Sequence, residues 1–261
     1  MNVRAKGLLA AGRVDFQAGQ WTRGVHLCAQ SRELYRDAGE AAGEARALIW
    51  EAFNRWGIED DDDIGSVLAA AIDAARRAER PLEIAIALGL SGTWWSLRDL
   101  DRAQQLVEEG GLLMKRAENP NWLAHSYEFR ALVAYLRGDY PRARGLLANA
   151  LPLYLQIGNR VCSAHCLETT AALAAATDHP EVGATLLGAA ERMRELLGTA
   201  APPYERIVRE RGADAVSAAL DQEATASAWE VGRELGFEAA MAQARALAEP
   251  PASTVRPRGP A

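Results

Sequence analysis

Lysine is almost missing from the chain: Lys6 and Lys115 are the only two in 261 residues, and arginine carries nearly all of the positive charge. Valine, isoleucine and phenylalanine are scarce, while alanine dominates the apolar half of the composition. Alanine gives up little entropy in a helix and β-branched residues suit strands, so this balance favours helices over sheets. No uninterrupted apolar run reaches the roughly 18 residues that a membrane span needs. Near the start, Lys6 is followed by the short stretch Gly7–Ala11 and then by Arg13 and Asp15, which is not the pattern of a signal peptide. Three cysteines, Cys28, Cys162 and Cys166, are too few and too odd in number for a disulfide framework. A net charge of −6 argues against a general nucleic-acid-binding face, which needs clustered positive charge to release counterions. These absences together fit a reducing cytoplasm, with no membrane and no direct nucleic-acid contact. Neither a G-x-x-x-x-G-K-[S/T] phosphate loop nor a G-x-S-x-G nucleophile elbow occurs.

What is present is a repeat. Gly138-Asp139-Tyr140-Pro141-Arg142-Ala143, followed by Leu146, has the same grammar as Gly19-Gln20-Trp21-Thr22-Arg23-Gly24: a turn, an aromatic, then a small residue. The small residue recurs as Gly24, Gly65, Ala103, Ala143 and Gly183, at intervals of 41, 38, 40 and 40. Three positions after each stands Leu27, Leu68, Leu106, Leu146 or Leu186, and ten after each stands Leu34, Ala75, Leu113, Leu153 or Met193. Offsets of three and ten share one helix face, and a small residue lets a neighbouring helix approach closely.

Upstream of each anchor lies a second helical stretch with large apolar or aromatic residues, such as Leu8 and Phe16, Ile49 and Phe53, Trp94 and Trp95, Tyr127 and Tyr135, and Leu167 and Leu173. The pattern predicts five helical hairpins at 3–38, 41–79, 81–118, 121–157 and 160–197, joined at breaks such as Asp37-Ala38-Gly39 and Ile157-Gly158-Asn159. Beyond Leu197 the rhythm fails. A loop and helical stretches near 204–220, 222–234 and 237–248 predict an irregular cap over 198–249, and the proline-containing stretch 250–261 reads as a flexible tail.

The hairpin grammar resembles the tetratricopeptide repeat (TPR): Leu8, Gly12, Phe16, Gly19, Trp21 and Gly24 fall where that family places its large and small packing residues. The period of about forty is similar to the longer MalT-like variant of STAND-type bacterial regulators. Thr185-Leu186-Leu187-Gly188-Ala189-Ala190-Glu191, the loop with Pro202-Pro203, and Ala228-Trp229-Glu230-Val231-Gly232-Arg233 are similar to the end of the TPR region in actinobacterial LuxR-type and AfsR-type transcriptional regulators. The resemblance implies a right-handed superhelical all-α solenoid of five hairpins plus a helical cap. It implies no cofactor of its own, because the phosphate loop of the ATPase domain is missing.

Three constellations carry chemistry. The acidic run Glu59–Asp63 lacks the glycine and spaced ligands of a calcium loop and reads as capping a helix N-terminus. Cys162, His165 and Cys166 share one helical turn, but zinc wants four ligands from separated segments, so they read as packing residues. His125-x-x-Glu128 recurs one repeat later as His165-x-x-Glu168. In TPR geometry these positions face the concave surface, and Arg13, Trp50, Asn54, Trp95 and Tyr135 would line the same groove. His, Glu, Arg and aromatic side chains together suit a peptide or a polar small molecule. The expectation is therefore a binding module, not an enzyme. Its groove would take a peptide or protein partner, with a small-molecule inducer as the alternative. Leu8, Leu9, Val25 and Cys28 would border an apolar patch for self-association at the N-terminal end.

Overall fold

The computed structural model describes residues 3–58, 63–198 and 203–249. Among them are thirteen helices and no strand. Ten pair as hairpins: α1 (Val3–Gln17) with α2 (Trp21–Asp37), α3 (Ala41–Gly57) with α4 (Ile64–Arg77), α5 (Pro81–Trp95) with α6 (Leu100–Met114), α7 (Pro120–Leu136) with α8 (Tyr140–Ile157), and α9 (Arg160–Ala175) with α10 (Pro180–Leu197). Then come α11 (Pro203–Ala219), α12 (Gln222–Glu234) and α13 (Phe237–Ala248). Glu59–Asp62 of the acidic run and residues 250–261 lie outside the described residues.

Helix starts follow the local chemistry. Asp99, Asn119, Asp139, Asn159 and Asp221 each accept a backbone N–H of the first turn, satisfying donors that the helix leaves unpaired. Pro81, Pro120 and Pro180 open their helices, where a missing N–H costs nothing. At the exit of α8, Gly158 takes a left-handed φ of 71°, which a residue without Cβ adopts at no steric cost.

The second helices of the hairpins reveal the packing register. Their buried stripe runs at offsets 0, 4, 7 and 11: Gly24, Cys28, Ser31 and Tyr35 in α2, Ala103, Val107, Gly110 and Met114 in α6, Ala143, Leu147, Ala150 and Tyr154 in α8. In α4 the stripe is Ile64, Leu68, Ala71 and Ala75. Ile64, not Gly65, therefore holds the anchor position, and the intervals even out to 40, 39, 40 and 40. A demand for a small residue shifted the expected register by one. The leucines at offset three split accordingly: Leu68 and Leu186 are fully buried, whereas Leu27 and Leu106 flank the stripe.

Close approach is nonetheless the job of Gly24. A Cβ there would fall 1.9 Å from Asn54 Oδ1, the side chain that reaches across from α3. Cys28 in turn packs on Gly12 of α1, so Cys28 and Leu9 are buried inside the first hairpin and do not border an exposed patch. The large apolar side chains exposed on that hairpin are Val3 and Val14 instead.

Odd-numbered helices of the repeat touch the next odd-numbered one, from α1 to α9, and so form the inner layer of the solenoid. The C-terminal helices fold back along the solenoid. α12 lies on α10, α13 backs onto α8 and α9, and α11 packs on α9 and reaches as far as α3. Helix α9 is consequently surrounded, with every residue from Ser163 to Ala174 buried, which accounts for its lack of an amphipathic pattern.

Candidate functional site

The inner helices curve around a cavity of about 230 Å³ whose walls come from α1, α3, α5, α7, α9 and the start of α11. One wall is aromatic. The Arg13 guanidinium lies 4.9 Å over the Trp50 ring, and Phe16 and Phe53 pack on Trp50 at 5.9 and 5.1 Å. Phe53 then meets Trp122 of α7 at 6.4 Å, and His125 follows at 5.0 Å from Trp122.

The opposite end is a charged cluster centred on Glu128. Its side chain is nearly inaccessible and is held by three groups: His165 Nδ1 at 2.7 Å, His125 Nδ1 at 3.5 Å, and the Tyr154 hydroxyl, which donates to it. Burial opposes ionisation of Glu128, but the charge of His165 and the hydrogen bonds from both imidazoles outweigh it and lower its pKa to about 2. Burial likewise works against charging the histidines, yet Cys162 and Glu128 raise His125 to about 10, and Glu128, Glu205 and Glu168 raise His165 to about 9. For Tyr154, burial and the adjacent carboxylate push the phenol well above its usual value, so it stays a neutral donor.

Behind this cluster, Arg194 of α10 forks onto Glu168 at 2.9 and 2.8 Å and donates to Glu205 of α11 at 2.7 Å. Paired, buried and bidentate, this network ties α9, α10 and α11 together. Helix starts add polar groups at the rim: Asn159, the cap of α9, donates to Asn121 of α7 at 2.8 Å.

Of the nine residues expected on the concave face, Arg13, Trp50, His125, Glu128 and His165 converge on this one cavity. Glu168 stands behind it, engaged with Arg194, and the two Glu and His165 are buried rather than solvating an open face. Asn54 is fully buried, donating to the carbonyl oxygens of Gly12 and Trp50, because it wedges between α1, α2 and α3. Trp95 lies at the end of α5, under Arg102 at 3.8 Å and edge-on to Trp94. Tyr135 packs against Leu132, Ala172 and Val208, where α7, α9 and α11 meet. These three do not reach the cavity.

Trp122, Asn121, Asn159, Phe129 and Cys162 also line it and went unassigned to the groove by sequence reasoning. The signal was there: Trp122 and Cys162 each precede a cavity histidine by three positions, the spacing of side chains on one helix face. Cys162, His165 and Cys166 do not converge on a point. His165 turns to Glu128, Cys162 to His125 at 3.4 Å, and Cys166 is fully buried in the core; no group suited to a metal ion is found among the described residues.

A layered array of helical hairpins with a lined concave cavity defines a TPR-like helical solenoid. Among solved structures the chain is similar to the apo form of RapI, with a TM-score of 0.56 and 11% identity over 81% of this chain and 82% of that one. It is also similar to a Rap protein complexed with Competence and Sporulation Factor, with a TM-score of 0.56 and 13% identity over 86% of this chain and 65% of that one. At such identities the likeness concerns the fold. No protein-family model matches the sequence, and no curated protein matches it. Among the described residues no helix is long and apolar enough to cross a membrane.

Proposed function

We propose that the chain is a non-catalytic binding module whose concave cavity takes a peptide or an extended segment of a protein partner. The observation that carries this reading is the cavity itself: an aromatic wall from α1, α3 and α7 faces two raised-pKa imidazoles, with Arg13 at its edge. Rings offer contact area, while Arg13, His125, His165 and the asparagine amides favour a carboxylate. The partner segment therefore combines an acidic group with a large apolar or aromatic side chain. That a similarly folded Rap protein was crystallised with a factor bound is in keeping with it.

In this reading residues 1–197 are the binding solenoid and 198–249 its cap, and Arg13, Trp50, His125, Glu128 and His165 are the site. The module acts in the cytoplasm, as the partner-sensing part of a bacterial regulator of LuxR or AfsR type. Selection from a random peptide display library tests it. Acidic, aromatic-containing peptides are expected to be enriched and to lose affinity for Arg13→Glu. Enriched sequences without that signature, or with unchanged affinity for Arg13→Glu, would overturn it.

A small-molecule inducer is a second reading, favoured by a larger cavity of about 450 Å³ between α11 and the ends of α3, α5 and α7. Trp56, Trp94, Leu132, Leu136 and Ile207 give it an apolar lining. A ligand bound there only in the folded state raises the melting temperature, whereas display peptides compete at the other cavity.

A further inference from the structure

We propose that Cys162 is a nucleophilic modification site, paired with His125 and held in place by Glu128, for small soft electrophiles of the α,β-unsaturated carbonyl class that enter the aromatic cavity. Three independent features converge on this sulfur. It lies 3.4 Å from His125 Nε2, and the same ring turns its Nδ1 toward Glu128 Oε2 at 3.5 Å. A thiol, an imidazole and an orienting carboxylate thus stand in a row. Second, Cys162 sits in the first turn of α9, where Asn159 accepts its backbone N–H at 3.2 Å and the helix dipole stabilises negative charge developing on sulfur. Third, it is only partly buried and lines the cavity, whereas Cys28 and Cys166 are fully buried. Burial pushes the Cys28 thiol up to about 12 and that of Cys166 well above its usual value, so neither competes.

The cavity also selects the electrophile. Trp122 and Phe129 pack on His125 at 5.0 and 5.7 Å and offer flat apolar surface to a conjugated system. The reaction needs no other reagent. The sulfur forms a bond to the β-carbon of the enone, the C=C π pair moves to the α-carbon, and the thiol proton passes by way of His125 to that carbon. There is no leaving group and no change of oxidation state elsewhere. Glu128 is a positioning residue: it holds the imidazole and its positive charge without touching the electrophile.

The test uses N-ethylmaleimide as the Michael acceptor on the whole protein, with peptide mass mapping of each cysteine over time and glutathione as the reference thiol in the same solvent. Native Cys162 should react about tenfold or more faster than it does in urea, relative to glutathione, with Cys28 and Cys166 silent until unfolding. His125→Gln should slow Cys162 by about tenfold at unchanged helix content, and Cys162→Ser should abolish native labelling. If His125→Gln does not fold, the native-to-urea ratio for the wild-type protein decides the matter alone. A Cys162 that labels no faster folded than unfolded, or as fast in folded His125→Gln, is merely accessible, and the proposal falls.

Discussion

Glu128 of α7 and His165 of α9 meet at 2.7 Å although they are 37 positions apart in the chain. The contact joins two successive inner helices of the repeat, and it makes the cavity's charged end part of the fold's own framework. A carboxylate so deeply buried persists as an anion because two imidazoles and a phenol face it.

That arrangement sets a pH dependence. The two histidines have raised folded pKa values, so their contribution is complete below the unfolded value of 6.5 and is lost as pH rises toward 9 to 10. Glu128 is depressed, so its contribution is complete above 4.5 and is lost as pH falls toward 2. The network stabilises most between pH 4.5 and 6.5, and melting temperature measured across pH should peak there. Glu128→Gln should flatten both slopes; a variant with the wild-type profile would refute the assignment.

Arg194 bridges Glu168 and Glu205, and its side chain is 7% exposed. Arg194→Met leaves two facing carboxylates in a buried site, at a cost of about 3–5 kcal/mol. Because Glu205 belongs to α11, hydrogen exchange in α11 should rise more than in α2. Equal exchange in both helices would mean that packing around Val208, Gly212 and Val216, and not this ion-pair network, holds α11 in place.

The crossing of α10 and α12 depends on two glycines. A Cβ on Gly232 would come within 1.9 Å of Thr185 O, and one on Gly188 within 2.1 Å of Trp229 O, so backbone meets backbone. Beside them, Glu191 accepts from Trp229 Nε1 at 2.9 Å and from Arg233 at 2.8 Å. Gly232→Ala should destabilise the protein by about 1–3 kcal/mol, read from chemical denaturation, because backbone cannot yield as a flexible side chain would. An unchanged midpoint would contradict this packing.

How much of this was legible in the sequence differs by level. The all-helical repeat follows from periodicity, since offsets on one helix face survive any detail of superhelical geometry. The anchor in α4 was misplaced by one residue, because Ile64 fills a position where the other hairpins use Gly or Ala. The path of α11 across the inner face was not legible: nothing in its sequence names α3 or α9 as partners. For the same reason Tyr135, set on an inner helix as the pattern requires, is drawn into the cluster that Val208 of α11 completes. Asn54 looked like a groove residue because it is polar on an inner helix, yet its role is set by Gly24 on the neighbouring helix, a tertiary relationship. The His-x-x-Glu recurrence named Glu128 and His165 but not the bond between them, which requires the offset of one repeat against the next.

The central claim, that the aromatic cavity of the inner helices is the binding surface, is tested most directly by calorimetric titration of the tightest display-selected peptide against two tryptophan variants. Trp122 lines the cavity, whereas Trp95 stacks under Arg102 outside it. Trp122→Ala should weaken binding by about tenfold or more, as loss of a buried aromatic anchor does, and Trp95→Ala should leave it within about twofold. Equal affinity for Trp122→Ala, or a loss confined to Trp95→Ala, would contradict the account.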